Sequence, residues 1–203
     1  MTKIGTETVA ILLAAGESRR MGQPKALLPW QGTSLLAHQV GAIRSAGVDR
    51  VVVVLGHRAD ELKAELEGVN GVTWAVNPDY LQGKTTSVKV GLSAAGVEQA
   101  GTLLILNVDQ PRSAATIRAL LELHREKDGL ITIPEYKGKG GHPIILDASL
   151  LDELREIDEE TLGIKAVVRR HAQATRRVDV ATPEVLWDLN TPEEYQAALE
   201  AGS

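Results

Sequence analysis

The 203-residue sequence contains no cysteine and no phenylalanine, and aromatic residues make up only 3% of it. The first absence excludes disulfides, thiolate metal sites and a cysteine nucleophile, so a bound metal must be held by oxygen or imidazole. The scarcity of rings, together with a formal net charge of −5, argues against a nucleic-acid partner. Few platforms exist on which bases could stack, and no excess of positive charge is available to track a phosphate backbone. No apolar run approaches the roughly 18–20 residues needed to cross a bilayer, so no membrane partner is expected. The opening Met1-Thr2-Lys3-Ile4-Gly5-Thr6-Glu7 fits neither a signal nor a transit peptide, which makes the cytoplasm the expected location.

What is present is globular composition, 43% hydrophobic and 24% charged, at a length that one domain spanning 1–203 can hold. Val9 to Leu13 and Val51 to Leu55 are continuous apolar runs that stop near glycine, the signature of strands buried on both faces. Helical spacing from Ser34 to Ala46 joins them into a βαβ unit. The alternation continues with helices at Arg58–Leu66, Thr85–Ala95 and Ala114–Glu126, and with strands at Val72–Val76, Thr102–Leu106 and Leu130–Ile133, the last stopping at Pro134. Beyond it lie a loop at Lys137–Gly141, an added strand at Pro143–Leu146, helices at Leu150–Ile157 and Ile164–Arg170 and a strand at Thr175–Val180. A terminal helix over Pro192–Leu199 is capped by Thr191. The pattern predicts a three-layer α/β/α sandwich, Rossmann-like, with a mostly parallel sheet whose ligands lie at the carboxyl ends of the strands.

Directly after the first strand comes Leu13-Ala14-Ala15-Gly16-Glu17-Ser18-Arg19-Arg20-Met21-Gly22-Gln23-Pro24-Lys25. Small residues let backbone N–H groups approach a phosphate, and Arg20 and Lys25 add the charge to hold several. An ordinary turn with incidental basic residues is the bland alternative. Two familiar phosphate motifs are absent: the loop is not G-x-G-x-x-G, and Gly83-Lys84-Thr85 lacks the first Walker glycine because Pro78 stands there. Trp30, Trp74 and Trp187 sit in or beside apolar stretches and read as packing residues. His142 reads as structural rather than as a general base.

This loop resembles the signature of the molybdenum cofactor nucleotidyltransferases, near their cytidylyltransferase branch, within the nucleoside-diphospho-sugar transferase superfamily. Asn77-Pro78 with Gly83 and Ser87, then Asp109-Gln110-Pro111, Gly141-His142-Pro143 and Asp188-Leu189-Asn190-Thr191-Pro192-Glu193-Glu194 resemble that family's later blocks in the same order. The resemblance implies an enzyme that moves a nucleoside monophosphate from a triphosphate onto a phosphorylated acceptor. Leu13, Ala14, Ala15, Gly16, Asn77 and Ser87 would bind nucleotide beside Arg20 and Lys25, and Asp109 and Asp188 would hold Mg²⁺. Ser87 is equally explained as a helix cap, and Asn190 stands where the family often carries a second Asp, which leaves open which of Asp188 and Asn190 meets the metal. Ala15, where the guanylyl relatives have Gly, favours CTP over GTP, with molybdopterin as acceptor and a molybdoenzyme as transient partner. A sugar or alditol phosphate acceptor and a GTP-dependent enzyme are the alternatives. A non-catalytic cofactor carrier is a further one, which need not keep Arg20, Lys25 and Asp109 together.

Overall fold

The computed structural model describes residues 5–94, 96–126 and 129–202. Met1–Ile4 of the N-terminal reading, and Ala95 at the end of a predicted helix, lie outside the described residues. Strand β1 (Glu7–Ala14) comes first. A small ribbon, β2 (Pro29–Trp30) and β3 (Thr33–Ser34), leads into α1 (Leu35–Ser45), β4 (Arg50–Leu55), α2 (Ala59–Ala64), β5 (Val72–Val76), α3 (Lys84–Leu92) and β6 (Ala100–Asn107). The second half runs α4 (Ala114–Arg125), β7 (Ile131–Tyr136), β8 (Lys139–Gly140), β9 (Ile144–Asp147), α5 (Leu151–Arg155), α6 (Ile164–Arg170), β10 (Thr175–Asp179) and α7 (Pro192–Ala201).

The main sheet has the order β10-β7-β9-β6-β1-β4-β5, with β8 hairpinned onto β7. Every pair along that order is parallel except those made by β9, which is antiparallel to both β6 and β7. On β1, Val9, Ile11 and Leu13 pack into one apolar cluster with Val88 and Leu92 of α3, Leu154 of α5 and Val167 of α6. Ala10, Leu12 and Ala14 pack into the other, with Val40 and Ile43 of α1, Leu62 of α2 and Leu120 of α4. Burial on both faces is why the strand reads as an unbroken apolar run rather than an alternating one. The expected three-layer α/β/α architecture with a mostly parallel sheet is what the chain adopts.

Two local features set the site. Because β1, β4 and β6 are parallel, the loops that follow them open on one edge of the sheet. Helix α3 reaches the same edge by packing unusually close: a Cβ built on Gly91 would lie 2.5 Å from Ile11 Cγ2 and 3.0 Å from Val54 Cγ2. Helix α7 begins with a full capping box, Thr191 accepting from Glu194 N–H while the Glu194 side chain answers the cap's own N–H. It covers a satellite core of Trp30, Leu35 and Leu189.

Two expectations are corrected. The seventh strand does not stop at Pro134 but runs to Tyr136. The Pro134 carbonyl accepts from Gly141 N–H at 2.7 Å, so the missing proline N–H faces the β8–β9 side and the ladder to β10 is untouched. The added strand near Pro143, whose place the sequence left open, lies inside the sheet, between β6 and β7. Trp74 is not a packing residue: it is 41% exposed, because β5 is an edge strand with no neighbour beyond it among the described residues.

Candidate active site

A cleft of about 330 Å³ opens at the carboxyl edge of β1, β4 and β6. Its floor is the chain leaving β1. Ala14 and Ala15 are buried, and Ala15 is backed by Gly56, where an added Cβ would fall 2.7 Å from the Ala15 carbonyl oxygen. Gly16 is different, since a Cβ there would meet nothing among the described residues within 4 Å beyond its chain neighbours. The space above it is open to a ligand. Ser18 and Gly22 adopt left-handed backbone conformations, φ 55° and 67°, and turn the loop so that Lys25 N–H donates to Ser18 Oγ at 3.0 Å. Arg20 is exposed at the rim, and its side chain lines the cleft.

Lys25 points inward. Its Nζ donates to Asp109 Oδ2 at 2.8 Å and to Asn190 Oδ1 at 2.9 Å, and the pair is largely shielded, with side-chain exposures of 12% for Lys25 and 20% for Asp109. Leu189 N–H donates to the Asp109 carbonyl at 2.9 Å, tying the segment that carries Asn190 to the loop after β6. Asp109 is the one acidic residue among the described residues that line the cleft. Asp188 is exposed and does not line it, whereas Asn190 does. No group of three or more His, Asp or Glu side chains among the described residues could hold a metal by itself.

On the α3 side, Asn77 is buried and both ends of its amide are engaged: Nδ2 donates to Thr86 Oγ1 at 2.8 Å and to Ser87 Oγ at 2.9 Å, and Oδ1 accepts from Asp79 N–H at 2.9 Å. Asn77 therefore pins the start of α3, and Ser87 reaches the cleft wall from there. Lys84, Tyr80 and His57 complete this wall, with the Tyr80 hydroxyl 3.5 Å from His57 Nδ1.

Behind Asp109 lies a buried polar layer. Gln110 Oε1 accepts from Asn107 Nδ2 at 2.8 Å, and its Nε2 lies 3.2 Å from His142 Nδ1. Burial, reinforced by the nearby Arg112 and Lys84 charges, pushes the His142 imidazole down to about 4, so it is neutral at physiological pH. Arg112 is 1% exposed, and burial lowers its guanidinium to about 9 against the opposing pull of Glu184, Asp188 and Asp109. Its donors go to main-chain carbonyls: Nε to His142 at 2.8 Å, one terminal nitrogen to Pro111 at 2.8 Å, and the other to Val185 at 2.8 Å and Trp187 at 3.1 Å.

Residues 10–175 match the MobA-like NTP transferase domain. The chain belongs to that family. It is 31% identical to the molybdenum cofactor cytidylyltransferase of Escherichia coli over 94% of each chain. It is also 31% identical to the nicotine blue oxidoreductase of Paenarthrobacter nicotinovorans, over 93% of this chain and 95% of that one. Among solved structures, a Methanothermobacter nucleotidyl transferase superposes with a TM-score of 0.81 at 27% identity, covering 97% of this chain and 98% of that one. Family and relatives make this chain a nucleotidyltransferase.

In this MobA-like chain the β1 loop, Arg20, Lys25, Ser87 and Asp109 meet in one cleft. Asn77 supports that cleft from behind. Sequence reasoning did not find Arg112, the Lys25–Asn190 link or the Tyr80–His57 wall. For Arg112 a signal existed: an arginine placed directly after Asp109-Gln110-Pro111, between two predicted buried elements, must find partners if it is buried at all.

Proposed function

We propose that this chain transfers CMP from CTP to molybdopterin with release of pyrophosphate, as one Mg²⁺-dependent domain acting in the cytoplasm. The observation that carries this reading is the Lys25 ammonium, held 2.8 Å from Asp109 and 2.9 Å from Asn190 directly beside the open backbone at Gly16. In the reaction an acceptor phosphate oxygen bonds to the α-phosphorus as the bond from that phosphorus to the bridging oxygen breaks. Pyrophosphate leaves on the opposite side. Two anions must be aligned and the charge growing on the bridging oxygen neutralised, which positioning and fixed cations accomplish. The Leu13–Gly16 backbone cradles phosphate, Arg20 closes over it from the rim and Lys25 meets it from below. No side chain is required to deprotonate an acceptor phosphate that is already anionic, and the neutral, buried His142 is not placed to do so.

The donor set suits Mg²⁺. Asp109 offers one carboxylate and Asn190 an amide oxygen, both hard ligands, and a cation that binds through one or two carboxylates completes its shell with phosphate oxygens and water. Asp109 and Asn190 would hold it, with Asp188 outside the cleft as a water-mediated or electrostatic neighbour. A bound metal would offset triphosphate charge and polarise the α-phosphoryl group.

The similarity to the E. coli cytidylyltransferase over nearly the whole chain supports CTP and molybdopterin, as does Ala15. Ala15 stands where the guanylyl relatives have Gly, and its Cβ packs toward Gly56; one methyl in a pocket is typically worth about 1–3 kcal/mol in discrimination. The test is pyrophosphate release from each NTP with Mg²⁺ and a panel of acceptors. The expected outcome is fastest release with CTP and molybdopterin. Preference for GTP would move the chain to the guanylyl branch, and turnover of a sugar or alditol phosphate would replace the acceptor. A redox reaction with no pyrophosphate, in line with the name of the Paenarthrobacter relative, would overturn nucleotidyl transfer itself.

A further inference from the structure

Arg112 is a cation almost without solvent and, among the described residues, with no carboxylate within hydrogen-bonding distance; four main-chain carbonyls surround it instead. A buried charge of this kind is a poor way to stabilise a fold, because well-packed apolar side chains of similar volume commonly do as well or better. What distinguishes Arg112 is which carbonyls it holds. Pro111 belongs to the loop that carries Asp109. His142 is the residue whose ring lies against Gln110 of that loop. Val185 and Trp187 begin the segment that ends at Asn190.

Isolated main-chain bonds join the same segments: His142 N–H to Val185 O at 2.9 Å, and Leu189 N–H to Asp109 O at 2.9 Å. Gln39 braces the loop from α1, with Nε2 donating to Gln110 O at 2.6 Å and Oε1 accepting from Arg112 N–H at 3.2 Å. Among the described residues no regular ladder or helix fixes Asp109 relative to Asn190. A planar guanidinium with five donors in rigid geometry can do so, because its donors radiate in one plane to acceptors on different strands of chain.

We propose that Arg112 is a positioning residue for nucleotidyl transfer, its guanidinium setting the placement of Asp109 and Asn190 around Lys25 by holding carbonyls from three chain segments. This rests on the nucleotidyltransferase reading of the cleft. Arg112 does not line the cleft itself and acts through the two oxygens that receive Lys25. Its loss should therefore leave nucleotide binding at the β1 loop nearly intact and damage the chemical step.

Arg112→Met, of similar length and uncharged, and Arg112→Lys, charged but without the planar donors, test this together. The expected result for Arg112→Met is a kcat lower by about 10–100-fold and a raised Mg²⁺ requirement, with KM for the nucleotide within about threefold, the size typical of losing a residue that orients metal ligands. Arg112→Lys should fall between that variant and wild type. Hydrogen exchange gives a readout independent of turnover: the Leu189 and His142 amides should exchange faster in both variants while amides of β1 stay protected. Lower melting temperature with wild-type kcat and metal requirement overturns the proposal. Where Arg112→Met does not fold, Arg112→Lys decides, and wild-type kcat with unchanged Leu189 exchange in that variant overturns it. If the wild-type protein releases no pyrophosphate with any NTP, it is the nucleotidyl reading that fails, and faster Leu189 exchange in Arg112→Lys still supports the tie while unchanged exchange refutes it.

Discussion

The two sides of the cleft are built in opposite ways. The β1 loop is local: thirteen consecutive residues, Leu13 to Lys25, leave one buried strand, turn through left-handed Ser18 and Gly22, and present open backbone at Gly16. The Asp109 side is assembled from segments far apart in the chain, with Asp109 against Asn190 and both held through Arg112, His142, Val185 and Trp187. Lys25 bridges the two. A site that only binds phosphate can be written in one loop, whereas one that places a carboxylate within an ångström or so must draw on the whole fold. The local side should accordingly respond to substitution through affinity, and the assembled side through turnover.

Asp109→Asn strikes the assembled side and should have the largest effect. It keeps the shape and one acceptor oxygen but removes the charge that a hard cation requires, so turnover should drop by more than about 100-fold, several kcal/mol of transition-state stabilisation. The melting temperature should stay within a few degrees, since Asn can still accept from Lys25 Nζ. A magnesium titration on one preparation decides it, and wild-type turnover at limiting Mg²⁺ would remove Asp109 from the metal site.

Lys25→Ala cuts the bridge. The loss of a charge-assisted bond to phosphate should cost on the order of 1.5–3 kcal/mol in kcat/KM, with both terms affected because the residue belongs to both sides. Arg20→Ala, on the rim, should raise KM with kcat nearly preserved. If the two variants give the same pattern, the cleft has no such division between affinity and turnover.

Gly16→Ala is the sharpest probe of the local side. Beyond its chain neighbours, nothing among the described residues lies within 4 Å of the added methyl, so thermal stability should be unchanged. A ligand phosphate approaching the backbone would meet it, and nucleotide affinity should fall by about 10-fold, the scale of one ill-placed methyl. Equal affinity in calorimetry would mean that the phosphates lie elsewhere.

The last effect concerns stability rather than turnover, and its dependence on pH. The folded-state value of His142 is depressed to about 4 from an ordinary 6.5. Below pH 6.5 the unfolded chain takes up a proton that the folded chain refuses until about pH 4, so this residue's contribution to stability is present above 6.5 and is lost as pH falls through that window. Denaturant titrations of wild type and His142→Gln between about pH 7 and 4 should show a shallower loss in the variant. Parallel curves would assign the acid sensitivity to other groups.

Most of the sheet was legible because strands buried on both faces must be continuous apolar runs, and Val9–Leu13, Val51–Leu55 and Thr102–Leu106 are runs of strand length, too short for a helix. The inserted position of β9 was not, since pairing partners are decided by topology and not by the four residues Ile144–Asp147. Pro134 misled because a proline ends a strand only when its missing N–H faces a neighbour that needs it. In the site, the β1 loop could be read residue by residue, being contiguous. Asp188 and Asn190 could not be separated from sequence, because an irregular loop has no fixed period from which to read which side chain faces the cleft. Asn77 was read as a nucleotide ligand, yet its buried amide is spent on Thr86, Ser87 and Asp79, a tally of donors and acceptors that only coordinates supply.

The insertion of β9 also has a consequence for the order in which the molecule can come into being. Strands β1, β4, β5 and β6 all lie within the first 107 residues and pair with one another in the final sheet. A chain emerging from the ribosome can thus complete the phosphate loop and its supporting strands early, while the outer edge of β6 waits for Ile144–Asp147 to cover it. Arg112 cannot meet Val185 and Trp187 until segments well beyond β9 have been made. The nascent protein would hold a finished cradle long before it held Asn190, and the joining of the two sides must wait until that residue has been made.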